Sequence, residues 1–106
     1  VKVYVAAPYS APTPAEVEAN VARAFDAADA LQDAGHSPYC PHLSHWRHMR
    51  RARPYEDWIA EDLRWLAVCD AVLRLPGHSM GADREVEAAR LLGLPVYLEL
   101  EEVPPA

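Results

Sequence analysis

The chain opens with VKVYVAA, a β-branched and aromatic stretch without a breaker, which predicts a buried strand over residues 1–7. Pro8 ends it, and Tyr9-Ser10-Ala11-Pro12 reads as a loop. Thr13-Pro14-Ala15-Glu16 forms a capping box with proline at the first helical position. Beyond it, Val17, Val21, Phe25, Ala28 and Leu31 recur at helical spacing, and Gly35 takes the usual C′ role. A short strand interrupted by Pro38 is expected over 36–40. Residues 41–54, PHLSHWRHMRRARP, hold four arginines, three histidines and no acid, and read as a loop. Apolar periodicity returns as a helix over 55–68, followed by a strand over 70–75 and a turn-rich loop, Pro76-Gly77-His78-Ser79-Met80-Gly81. A helix over 82–92 closed by Gly93, a strand over 95–100 and an acidic, proline-rich tail complete the chain.

The order β-α-β-α-β-α-β predicts an α/β fold: one flavodoxin-like or Rossmann-like three-layer domain over 1–106, with helices on both faces of a four-stranded parallel sheet. The expected strand order is 2-1-3-4. Its switch point then lies between the first and third strands, where ligands of such sheets bind. The loops meeting there are Pro8-Tyr9-Ser10 and Pro76 to Gly81.

Composition narrows the function classes. With 106 residues and 51% apolar content the chain suits one globular core and excludes wholesale disorder. No apolar run approaches the about 18 residues of a membrane span. A net charge of −6 argues against a nucleic-acid polymer as partner. Cys40 and Cys69 cannot make a disulfide scaffold, and no leader pattern opens the sequence, so a cytoplasmic protein with reduced thiols is expected.

The candidate chemistry comes from two acids on apolar helix faces. On a helical wheel of 55–68, Tyr55, Trp58, Ile59, Leu63, Trp65 and Leu66 share one face, and Asp62 falls in its middle. In 82–92, Ala82, Val86, Ala89 and Leu92 form the apolar stripe, and Glu85 lies inside it. Burying an acid costs several kcal/mol unless it is paired, hydrogen-bonded or protonated, so such acids are raised towards neutral pKa. Two of them in different surroundings can divide into an acid and a base or nucleophile, as glycosidic-bond cleavage requires. The structural alternative pairs Asp62 with Arg74 and leaves Glu85 as a helix-end cap.

Two further features bear on the ligand. Gly77, His78, Ser79, Met80 and Gly81 precede a helix, where a hydroxyl and free N–H groups make a phosphate-sized anion site or a plain loop. His42, His45 and His48 are spaced i, i+3, i+6 with arginines between them, matching no strong zinc signature. No metal and no organic cofactor is therefore expected. The segment, with His42, His45, Trp46 and Arg47, reads as a basic lid over an anionic substrate or as a solvated charged loop.

The stretch from Ala60 to Pro95, AEDLRWLAVCDAVLRLPGHSMGADREVEAARLLGLP, resembles the nucleoside 2-deoxyribosyltransferase superfamily, including its small members of unknown function of the DUF4406 type. VYVAAPYS and AGHSPYCPHLSH fit the small members too, so the resemblance covers nearly the whole chain. It implies that Glu85 attacks the sugar C1′ or activates water, that Asp62 assists the leaving base, and that Tyr9 positions the glutamate. Serine at position 79, six residues before Glu85, is similar to the branches that hydrolyse nucleoside 5′-monophosphates, in which it binds phosphate. The implied activity is a nucleotide N-glycosidase on a nucleotide or nucleoside substrate, with Pro8, Ser10 and the 77–81 segment around the phosphate. A non-catalytic nucleotide-binding domain and a transferase are the alternatives. The resemblance also implies a homodimer or higher homo-oligomer, although the chain has little beyond its fourth strand to donate to a neighbour, and Ala7 stands where relatives often have glycine.

Overall fold

The opening apolar segment forms β1 (Lys2–Ala6), with Val3 to Ala6 fully buried, in a computed structural model that describes residues 1–106. Around it lie α1 (Pro14–Asp33), β2 (Ser37–Tyr39), α2 (Ser44–Arg50), α3 (Tyr55–Leu66), β3 (Ala71–Arg74), α4 (Met80–Leu91) and β4 (Val96–Tyr97). The strands form one parallel sheet in the order β2-β1-β3-β4. Val3 pairs with Pro38 on one side and Ala71 on the other, and Val72 pairs with Val96. This is the predicted α/β three-layer architecture and strand order.

Strand alternation decides what each face buries. Val3, Val5, Ala7 and Leu73 pack with Ala24 and Leu31 of α1. Tyr4, Ala6 and Val72 turn to the opposite face, against Leu66 of α3 and Ala82, Val86 and Ala89 of α4. Because β1 is sandwiched on both faces, its central residues form a continuous apolar run. The one polar atom in that run is the Tyr4 hydroxyl, on the α3/α4 side.

The helix ends follow local chemistry. Thr13 Oγ1 accepts from the Glu16 N–H at 3.2 Å, which fixes the start of α1. Gly35, at φ +93°, closes it, with its N–H bonded to Gln32 O at 2.9 Å and the His36 N–H to Leu31 O at 3.0 Å. No helix is long and apolar enough to cross a membrane.

Two predicted elements differ. Residues 41–54 are not a loop: a 3₁₀ turn, Pro41–Leu43, runs into α2. Histidines rather than aliphatic residues form its inward face, so the usual apolar signal is missing. The i, i+3, i+6 spacing of His42, His45 and His48 was itself the helical period. His42 and His45 are each only 5% exposed, which overturns the solvated-loop reading for them, while Arg47, Arg50 and Arg51 do face solvent. The strand expected over 95–100 shrinks to Val96–Tyr97. Glu102 takes the N–H groups of Leu98 and Glu99 at 3.1 and 2.8 Å, and a reciprocal cap with Glu99 turns the chain into a 3₁₀ helix, Leu100–Glu102.

Candidate active site

A cavity of about 660 Å³ opens beyond the carboxyl ends of β1 and β3. That is the switch point of a 2-1-3-4 sheet and a size that suits a small organic ligand. One wall comes from α3 and α4, the other from the 3₁₀ turn and α2, and the residues after β1 form the floor between them.

Glu85 projects from the buried stripe of α4 into this cavity and is 4% exposed. The Tyr4 hydroxyl donates to Glu85 Oε2. Burial pushes the Glu85 carboxyl up to about 8; the Tyr4 hydrogen bond opposes the rise, Asp62 adds to it, and Arg74 draws it down. The same burial and the neighbouring carboxylates hold the Tyr4 phenol well above its ordinary value, so it stays a donor. Asp62 reaches the cavity from α3. Burial, with a smaller contribution from Glu61, pushes it up to about 7, and its Oδ1 is sealed from solvent without a hydrogen-bond partner. A buried carboxyl oxygen left unpaired is costly when ionised. Arg74 does not relieve it: that guanidinium bonds the Gly77 carbonyl at 2.9 Å and Asp83 at 3.0 Å. The two acids therefore share one cavity with no cation paired to either. The pair gives up its protons in two steps, because the charge on one carboxyl helps keep the remaining proton bound.

The tyrosine contact expected from Tyr9 is made by Tyr4. Tyr9 lines the cavity, but its hydroxyl lies 2.6 Å from His45 Nδ1. The signal for Tyr4 was present in the sequence: a tyrosine centred in a doubly covered strand must find a partner for its hydroxyl. By strand alternation that partner lies on the α3/α4 side, where Asp62 and Glu85 are the inward acids.

Ser79 caps α4, its Oγ accepting from the Ala82 N–H at 3.1 Å. The helix thus begins at Met80 rather than at 82, and the N–H groups of Met80 and Gly81 have no intrahelical acceptor. His78, Ser79, Met80, Gly81 and Ser10 all border the cavity. Pro8 and Gly77 lie behind its rim and pack against each other: Gly77 sits at φ +117°, and a Cβ there would fall 2.9 Å from Pro8 Cγ. This contact joins the two switch-point loops.

The segment expected to be a lid is a packed wall. His42 Nε2 lies 2.8 Å from the Pro8 carbonyl, and burial holds its imidazole below the ordinary value. His45 Nε2 lies 2.9 Å from Glu18 Oε1. Trp46 is turned away, against Phe25 with ring centroids 5.5 Å apart, and Arg47 lies over the Trp58 ring at 5.2 Å. The three histidines do not converge: His48 Nδ1 accepts from the Trp58 indole N–H at 2.8 Å. Trp58, Tyr55, His48 and Arg53 also border the cavity, beyond the site residues that the sequence predicts. Trp58 and Tyr55 belong to the core-facing stripe of the helical wheel, which is where a cleft-lining aromatic also falls.

The four-stranded parallel sheet in the order 2-1-3-4, with helices on both faces, is an α/β fold with solved members. A solved 2-deoxyribosyltransferase from the psychrotolerant bacterium Bacillus psychrosaccharolyticus shares the fold, with a TM-score of 0.65 and 23% identity over 91% of this chain and 69% of that one. The chain itself belongs to the family described as Domain of unknown function (DUF7768), whose model matches residues 1–99. No curated protein matches it.

Proposed function

We propose that the protein cleaves the N-glycosidic bond of a nucleoside 5′-monophosphate. The observation that carries this reading is the pair of carboxyls without an ion-pair partner, buried Glu85 and half-buried Asp62, bordering one cavity. Between about pH 7 and 8 the pair holds one proton, leaving one anion and one acid. As the C1′–N bond breaks, positive charge builds on the sugar. That charge favours the anion on Glu85, which bonds C1′ or draws a proton from water, and leaves the proton on Asp62. The electron pair of the broken bond goes to the base nitrogen, which takes the Asp62 proton. If Glu85 is esterified, water then supplies hydroxide to C1′, frees Glu85 and gives its proton to Asp62; if Glu85 has instead taken the proton of the attacking water, that proton passes to Asp62, and either way the pair again holds one proton.

The α4 N-terminus, with the Ser79 hydroxyl and the Met80 and Gly81 N–H groups, supports placing the 5′-phosphate there. An acid at position 79 would repel phosphate; a hydroxyl does not. Tyr4 keeps Glu85 oriented.

Incubation with a panel of nucleoside monophosphates should release free base, at least tenfold faster than from the matching nucleosides. Glu85→Gln should abolish release. Intact nucleotides with folded wild-type protein would overturn the reading. Binding without turnover would select a nucleotide-binding domain instead. The fold shared with a 2-deoxyribosyltransferase favours transfer as the second reading, in which an added free base becomes incorporated into nucleotide.

A further inference from the structure

On the side opposite the acids, Tyr9 and His42 offer hydrogen-bond polarity of a single kind. Glu18 is a carboxylate and can only accept, so the 2.9 Å contact assigns the His45 proton to Nε2. In neutral His45, Nδ1 is then an acceptor, and the Tyr9 hydroxyl 2.6 Å away spends its proton on it. What Tyr9 presents to the cavity is oxygen lone pairs. His42 repeats the arrangement. Its Nε2 faces a carbonyl at 2.8 Å, which accepts only, so its proton lies there and its Nδ1 is a bare acceptor. His42 borders the cavity, and its Nδ1 has no partner in the protein yet is not sealed from solvent, since Asp62 Oδ1 is the one side-chain polar atom that is both. The Tyr9 and His42 rings meet edge to face at 5.6 Å. Asn20, itself buried, bonds the Tyr9 carbonyl at 3.0 Å and holds the tyrosine in place.

We propose that Tyr9 and His42 form an acceptor-only subsite that takes neutral hydrogen-bond donors of the ligand. On the nucleotide reading above, on which this assignment of the donor rests, that donor is a sugar hydroxyl. The subsite repels a phosphate, whose oxygens would face lone pairs, and so orients the nucleotide with its phosphate at the far wall. Tyr9 is a specificity-determining residue, and His45 and Glu18 are positioning residues that keep its proton turned away from the ligand. An exocyclic amine of the base offers the same donor chemistry and is the competing source.

The test is calorimetric binding to the Glu85→Gln protein, which retains ligand without turnover, with and without Tyr9→Phe. The ligands are 2′-deoxy- and 2′,3′-dideoxynucleoside monophosphates carrying adenine or hypoxanthine. Loss of the hydroxyl should weaken binding about 10- to 100-fold with Tyr9 present and less than about threefold with Tyr9→Phe, whichever base is used. Glu18→Ala, exposed and outside the cavity, should reduce the same discrimination in part, which guards against misfolding of the tyrosine variant. Hydroxyl discrimination unchanged by Tyr9→Phe would overturn the subsite and leave the glycosidase reading standing. A Tyr9-dependent preference for adenine without one for the hydroxyl would overturn the sugar assignment. If no nucleotide binds, methyl riboside becomes the probe: Tyr9-dependent binding seen by NMR upholds the subsite while the nucleotide reading falls, and absence of binding overturns both.

Discussion

The two walls of the cavity solve the burial of polar groups in opposite ways. On the α3/α4 side, a buried carboxyl and a half-buried one have one hydroxyl donor between them, and the sealed Asp62 Oδ1 has none. On the α2 side, both buried histidines are anchored, one to a carbonyl and one between a carboxylate and a phenol. The first wall stores unfavourable free energy that a reaction can use; the second is a scaffold. Their pH responses differ in sign. A carboxyl raised in the folded state makes folding weaken as pH rises from its unfolded value towards the raised one. An imidazole lowered in the folded state, as in His42, makes folding weaken as pH falls below its ordinary value.

The sharpest way to break this contrast is kinetic. Asp62→Asn removes the transferable proton and should lower the rate of base release about 10²- to 10⁴-fold. The wild-type pH profile should be a bell with its limbs near 7 and 8, and the variant should lose that shape.

The next effects are on stability, read by denaturant melts. Glu85→Gln keeps an acceptor for Tyr4 and removes a carboxyl whose ionisation burial opposes. The variant should be more stable than wild type by about 2–4 kcal/mol at pH 9, with the gain fading towards pH 5, where the wild-type carboxyl is protonated. On the other wall the sign reverses. His42→Phe leaves the Pro8 carbonyl without its donor and should cost about 1–3 kcal/mol at pH 8. A stabilising His42→Phe would show that wall to be strained as well, and the contrast would fail.

The sequence reading reached most of the fold because β1, α1, α3 and β3 carry consistent local signals. The apolar run of β1, the Thr13 cap and Gly35 turn all agree with their final conformations. It missed α2 because histidines stand where aliphatic residues normally mark a buried face. It overextended β4 because alternation in VYLEL does not reveal that Glu102 returns to take the N–H groups of Leu98 and Glu99, just past the strand. Helical wheels pointed Asp62 and Glu85 inward, since inward direction is a local property of a helix. Whether Tyr4 or Tyr9 meets Glu85 depends on which face of the sheet each occupies. That requires the helix layers to be assigned first.

The central claim is that Asp62 and Glu85 titrate together near neutrality inside one cavity. Carbon-13 NMR of the side-chain carboxyls from pH 4 to 9 measures this directly. Two resonances should move with midpoints near 7 and 8, with Glu85→Gln removing one and lowering the midpoint of the other, and Asp62→Asn doing the converse. If every carboxyl of the folded protein titrates in the ordinary range of about 3 to 5, the account is contradicted.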